Sequence, residues 1–220
     1  MLKTKQSDNE NSIKSSILTA GEQAKLTPAV VLEMLKVGNQ EFLEENLTIR
    51  NNSQRVRDAL GQYPKAAIVS CSDSRVPVEN VFHQGIGDLF VARIAGNFIN
   101  ADILGSLEFA CKISGAKLVV ILGHEFCGAI LSAIDNFKLG HITAMLENIK
   151  PAIIKASENF TGEQTSKNYK FVESVCIHNI RYAIENIRTK SLILKEMEDS
   201  GEIKIVGGIY HMKTGKVEFL

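Results

Sequence analysis

The chain has 220 residues, 45% of them apolar, which is enough for one substantial core and excludes a disordered chain. Lys plus Arg and Asp plus Glu both number 25, so the formal net charge is zero, which argues against a broad nucleic-acid surface. No run approaches the roughly 18 consecutive apolar residues of a membrane span.

Residues 1–26 are polar and lack the apolar stretch of roughly 7–15 residues that a signal peptide needs. They read as a mobile tail on a cytoplasmic protein, and residues 27–220 as one domain. Thr27-Pro28 can cap and start a helix that runs to about Asn46 on Val31, Leu32, Leu35 and Phe42. A short helix is predicted over Ser53–Leu60. Lys65–Ser70 is a nearly continuous apolar run, as in a parallel strand covered on both faces. Pro77 opens a short helix to about His83. Asp88–Ile94 is a second strand, broken by Ala95-Gly96-Asn97.

Asn100–Ser114 carries apolar residues at 103, 104, 107, 110 and 111, the spacing of a helix face. Leu118–Leu122 is a third strand. Helices are predicted over Gly128–Phe137 and Thr143–Ala156, then a polar loop over Glu158–Lys167. Amphipathic helices follow at Tyr169–Arg188 and Ser191–Asp199. Glu202–Tyr210 and Lys216–Leu220 form a terminal strand and its return. The alternation predicts an α/β domain whose mainly parallel central sheet is flanked by helices, with an N-terminal helical arm. Such sheets place ligand sites at the carboxyl ends of their strands.

Two segments fall at such ends. Cys71-Ser72-Asp73-Ser74-Arg75 follows the first strand, and Gly123-His124-Glu125-Phe126-Cys127-Gly128 follows the third. Cys71, His124 and Cys127 form a Cys2His set, which catalytic zinc uses when it keeps a fourth position open. A helix starting near Gly128 favours the thiolate of Cys127. Asp73 and Arg75 follow Cys71 at steps of two, so in extended backbone all three point to the same side. Asp73 either closes the site as a fourth ligand or is held back by Arg75, leaving a water whose proton it hydrogen-bonds. Zinc with two thiolates is formally neutral, so it acidifies water less than a three-histidine centre, whose water titrates at about pH 7. The rate is therefore expected to rise on the alkaline side of neutrality.

These residues resemble the β-class carbonic anhydrases. The likeness rests on Cys-x-Asp-x-Arg and His-x-x-Cys in order, on Gly38-Asn39-x-x-Phe42, on Gly87-Asp88-x-Phe90-x-x-Arg93-x-Ala95-Gly96-Asn97, and on Gly105-Ser106-x-Glu108-x-Ala110. It runs from about residue 28 to the end. The resemblance implies an enzyme that interconverts CO2 and bicarbonate with one Zn2+ per chain. Cys71, His124 and Cys127 would be the ligands, Asp73 and Arg75 the catalytic pair, and hydroxide on zinc the nucleophile. It also implies a homodimer or homotetramer, with no nucleic-acid or membrane partner. A glutamine after the first motif assists in some members, which points to Gln84 as a substrate contact. His83 is the histidine nearest the motifs for proton export. Some bacterial members carry an inhibitory bicarbonate site built on Trp, Arg and Tyr. This chain has no Trp, and although Arg93 could match the Arg, the expected Tyr region reads Cys176-Ile177-His178-Asn179, so that regulation is expected to be absent.

Other readings compete. A structural zinc site closed by Asp73 goes against the preference of such sites for Cys and His throughout. A Cys71–Cys127 redox pair lacks the Cys-x-x-Cys spacing. Cys111 and Cys176 read as core thiols, and Arg93 as a partner for a carboxylate of the sheet. Carbonyl sulfide or carbon disulfide hydrolysis on the same scaffold, or a non-catalytic zinc-stabilised binding protein, are the alternative functions.

Overall fold

Five apolar segments meet edge to edge and set the frame. The computed structural model describes residues 18–46 and 61–220. The sheet holds β1 (Ala66–Ser70), β2 (Leu89–Arg93), β3 (Leu118–His124), β4 (Lys204–Tyr210) and β5 (Val217–Phe219) in the order β2-β1-β3-β4-β5. The first four strands run parallel and β5 returns antiparallel to β4. β1 and β3 are buried along their whole length, which explains their lack of alternation.

The two faces of the sheet are packed by different helices. Ala66, Ile68, Leu118, Val120 and Leu122 face Val31 and Leu35 of α2 (Pro28–Leu43) and Val78 and Val81 of α3 (Val78–Val81). Ala67, Val69, Val119 and Ile121 face Ile103 and Leu107 of α4 (Ala101–Glu108), which runs on into a π-helical turn over Phe109–Ile113. The same side receives Cys176, Ile180 and Ile187 of a long helix, Tyr169–Lys190, and Leu194 and Met197 of the helix after it, Leu192–Asp199. Gly123 allows the long helix to approach β3, since a Cβ there would lie 2.7 Å from Ile180 Cδ1.

Two boundaries differ from the sequence expectations. The predicted tail ends earlier than residue 26, because Ala20–Ala24 form α1, with a capping box between Thr19 and Glu22. It is tied down by Gln23, which donates to the carbonyls of Pro64 at 2.7 Å and Ser114 at 2.8 Å. Residues 1–17 and the predicted helix Ser53–Leu60 lie outside the described residues. The helix expected over Thr143–Ala156 is two helices, α6 (Gly140–Glu147) and α7 (Lys150–Ser157), after α5 (Gly128–Ile134). Pro151 explains the break: it has no N–H to continue a helix, but it fits the first turn of a new one. The helices after α7, Tyr169–Lys190 and Leu192–Asp199, are α8 and α9.

Candidate metal centre

β1 ends at Ser70 and β3 at His124, on adjacent strands in parallel register, so Cys71 and the loop after His124 emerge side by side. Cys127 is the N-cap residue of α5. The three side chains are buried, and one donor atom from each lies within 4.8 Å of the other two. The sulfurs of Cys71 and Cys127 are 3.8 Å apart. Two thiolates each about 2.3 Å from a tetrahedral zinc ion would sit about 3.8 Å apart, so the spacing suits that ion. His124 Nδ1 lies 2.8 Å from the carbonyl of Glu125, while Nε2 is buried and has no hydrogen-bond partner. A buried ring nitrogen without a partner is costly unless something binds it, and the fixed Nδ1 leaves Nε2 as the ligating atom.

The charges around the cluster favour a cation. The Cys127 thiol beside it holds Cys71 well below the ordinary thiol range, aided by His124 and by the Gly96 N–H, 3.4 Å from the sulfur. Cys127 is pushed up, first by that same hydrogen bond and then by burial. The pair thus shares one proton, which a divalent ion would replace. Gly96 is positioned in turn by Asn179 of α8, which donates to its carbonyl at 2.8 Å.

Asp73 and Arg75 form a closed pair. The Arg75 guanidinium donates to Oδ1 at 3.0 Å and Oδ2 at 2.7 Å, and the Arg75 N–H donates to Oδ1 at 3.0 Å. These bonds hold the Asp73 carboxyl down to about 2. Of the two states open to Asp73, this is the held-back one: it stays outside the three-donor group, with Oδ2 4.0 Å from His124 Nε2.

Three further expectations resolve differently. Arg93 does not take up a carboxylate. Its Nε donates to the Cys71 carbonyl at 3.0 Å, and Nη2 donates to the carbonyls of Asp73 at 2.7 Å and Val76 at 2.9 Å. Gln84 is not brought to the cluster. It donates to the Phe82 carbonyl at 2.9 Å and accepts from Lys65 Nζ at 2.8 Å. Lys65 precedes β1, so this contact sits at the opposite end of the strand from Cys71. His83 is itself buried, with Nδ1 2.8 Å from the Glu41 carboxylate. Cys111 and Cys176 are core thiols, each pushed up to about 12 by burial.

The sequence reading gave no role at the site to Glu125, Tyr169 or His211. Their side chains meet beside the His124 loop. Only the acidic residue within Gly123-His124-Glu125 marked them in the sequence, since their partners lie far along the chain.

The carbonic anhydrase family profile matches residues 66–217. Carbonic anhydrase 2 of Mycobacterium tuberculosis is 32% identical over 197 residues, covering 86% of this chain and 91% of its own. The chain belongs to the carbonic anhydrase family, in its β class. A carbonic anhydrase of Pseudomonas aeruginosa is 28% identical, over 74% of this chain and 76% of its own. The β-carbonic anhydrase CafA of Aspergillus fumigatus superposes with a TM-score of 0.66 at 25% identity, covering 87% of this chain and 89% of its own. The β-carbonic anhydrase CcaA superposes at 0.67 with 23% identity, over 86% and 91% of the two chains, and speaks for the fold alone. A carbonic anhydrase of this class therefore has its Cys-His-Cys candidate set at the carboxyl end of the sheet, where the two motifs converge. Among the described residues no helix is long and apolar enough to cross a membrane.

Proposed function

We propose that the chain hydrates CO2 reversibly to bicarbonate and a proton, with one Zn2+ held by Cys71, His124 and Cys127. The observation that carries this reading is the 3.8 Å spacing of the two sulfurs beside a buried, unpartnered imidazole nitrogen. When bound, zinc supplies an acidified water, the nucleophile that hydration needs near neutral pH. Asp73 accepts a hydrogen bond from the attacking water and orients it for the carbon of CO2. Arg75 keeps that carboxylate ionised and turned away from the ligand set. Zinc with two thiolates is formally neutral, so activity rises on the alkaline side of neutrality.

A second copy of the chain is the partner we propose. β2 is an edge strand with Phe90, Val91 and Ala92 half-buried, beside Phe109, which is 53% exposed. These residues line an open groove of about 700 Å³, and an apolar strand edge of this kind invites pairing. The Sordaria macrospora β-carbonic anhydrases of similar fold are tetrameric. A reducing cytoplasm suits the chain, since all four cysteines are free thiols.

The test is stopped-flow CO2 hydration by zinc-quantified protein between about pH 6.5 and 9, beside Asp73→Asn, which should lower kcat by about 100-fold. A flat profile would sink the neutral-centre argument. No turnover with one zinc per chain would sink the activity.

A further inference from the structure

The loop that carries His124 and Cys127 has an acidic residue that neither the ligand set nor the Asp73–Arg75 pair uses. The Glu125 side chain is 8% exposed, yet both of its oxygens have partners. Oε1 accepts from the Tyr169 hydroxyl of α8 and pairs with His211 Nδ1 at 3.0 Å. Oε2 accepts from the backbone N–H of Met212 at 2.9 Å. The donors thus come from α8 and from the turn between β4 and β5.

The backbone around this carboxylate does two jobs at the centre. The Glu125 N–H donates to the Tyr210 carbonyl at 3.1 Å, and its own carbonyl lies 2.8 Å from His124 Nδ1. Phe126 then adopts φ 54, in the left-handed region that a side chain occupies only when its surroundings hold it there. Its ring packs on Tyr169 with centroids 5.4 Å apart. Its carbonyl accepts from Arg75 Nη2 at 3.4 Å, the same nitrogen that holds Asp73 Oδ2.

We infer that Glu125 is a positioning residue of the metal centre: its carboxylate, clasped by Tyr169, His211 and the Met212 N–H, fixes the two peptide carbonyls that orient His124 and receive Arg75. The inference rests on Cys71, His124 and Cys127 being the metal ligands. One competing role is a second cation site, since Glu125, Glu173 and His211 bring donor atoms within 4.8 Å of one another. A cation there would have to displace the Tyr169 proton and the His211 ring from Oε1. The clasp uses every contact the carboxylate makes, whereas the cation uses none of them. A simple surface ion pair would suit His211 and Glu218, 3.6 Å apart with Glu218 60% exposed, but not the covered Glu125. Partners that orient a metal ligand typically change metal affinity by about 10–100-fold.

The test compares the full chain with Glu125→Gln and Tyr169→Phe. It reads zinc affinity by chelator competition, the visible spectrum of the cobalt-substituted protein, and thermal unfolding. The wild type is measured first. If it binds no zinc, the ligand assignment fails and takes the inference with it. If it binds one zinc, Glu125→Gln should weaken affinity at least about 10-fold and shift the cobalt bands, and Tyr169→Phe should do both to a lesser degree. If Glu125→Gln does not fold, Tyr169→Phe is read by the same criteria. Unchanged affinity and superimposable cobalt bands in the folded variants, with only a lower Tm, would overturn the inference and leave Glu125 a plain fold-stabilising residue. Two zinc ions per wild-type chain, with Glu125→Gln losing one while the cobalt bands of the other persist, would overturn it in favour of a cation site.

Discussion

The two loops that meet at the metal centre are held by opposite means. The loop after β1 is rich in outward carbonyls, and one cation organises it: Arg93 reaches the carbonyls of Cys71, Asp73 and Val76. The loop after β3 is organised by an anion, Glu125, which collects donors from two distant elements. The difference follows from what each loop must present. The first offers the Asp73 carboxylate, so an arginine beneath it adds favourable charge. The second offers the His124 imidazole and the Cys127 sulfur. There a buried anion is tolerated because its oxygens are filled by donors, and the hydrogen bonds from Tyr169 and His211 outweigh burial and hold its carboxyl below the ordinary range.

The largest test removes a ligand from the second loop. His124→Ala should lower zinc affinity by about 100-fold or more, read by metal content after dialysis against a chelator, and abolish hydration. Full zinc retention would mean that the second loop is not part of the ligand set.

The next targets the first loop's support. Gly96 has φ +84, and an added Cβ would lie 2.7 Å from Ile149 Cδ1. Gly96→Ala should cost about 3 kcal/mol in urea unfolding and, because its N–H meets the Cys71 sulfur, weaken zinc as well. A loss below 1 kcal/mol, against that figure of about 3, would show that the turn can shift.

Arg93→Met keeps the aliphatic stem but removes the donors from three carbonyls. Part of that network is solvated, so the expected loss is about 2 kcal/mol. Asp73 should also lose its fixed place, seen as a lower kcat with zinc content unchanged. If zinc and kcat fall together, the first loop is held as one unit.

The smallest effect is electrostatic. Arg75→Ala should raise the Asp73 titration from about 2 toward the ordinary value near 3.9, read by carbon-detected NMR. The sign follows from linkage. A carboxyl with a depressed folded pKa contributes stability that is complete above about pH 4 and is lost as pH falls toward 2. The variant should therefore lose less stability than the wild type over that acid range. An unmoved titration would mean that His124, rather than Arg75, sets it.

Much of this was legible along the chain. The apolar runs at 66–70 and 118–122 identify buried parallel strands, and Cys71, Asp73, Arg75, His124 and Cys127 are local signals at strand ends. The Pro151 break was missed, because the helical spacing on either side of it reads as one helix. Gln84 and Arg93 show the limit. Gln84 was read from the resemblance and Arg93 from its place in the sheet, and their partners were set by where the strand ends fall.

The sequence by itself determined the α/β alternation, the strands and the candidate ligand set, because hydrophobic period and short-range motif spacing are properties of neighbouring residues. Only the tertiary structure decided that Arg75 draws Asp73 aside, that Arg93 supports carbonyls, and that Tyr169, His211 and Met212 close on Glu125. The partners of Glu125 lie 44 to 87 residues from it. Side-chain hydrogen bonds depend on distances of about 3 Å, which chain order does not encode until the sheet and α8 have packed.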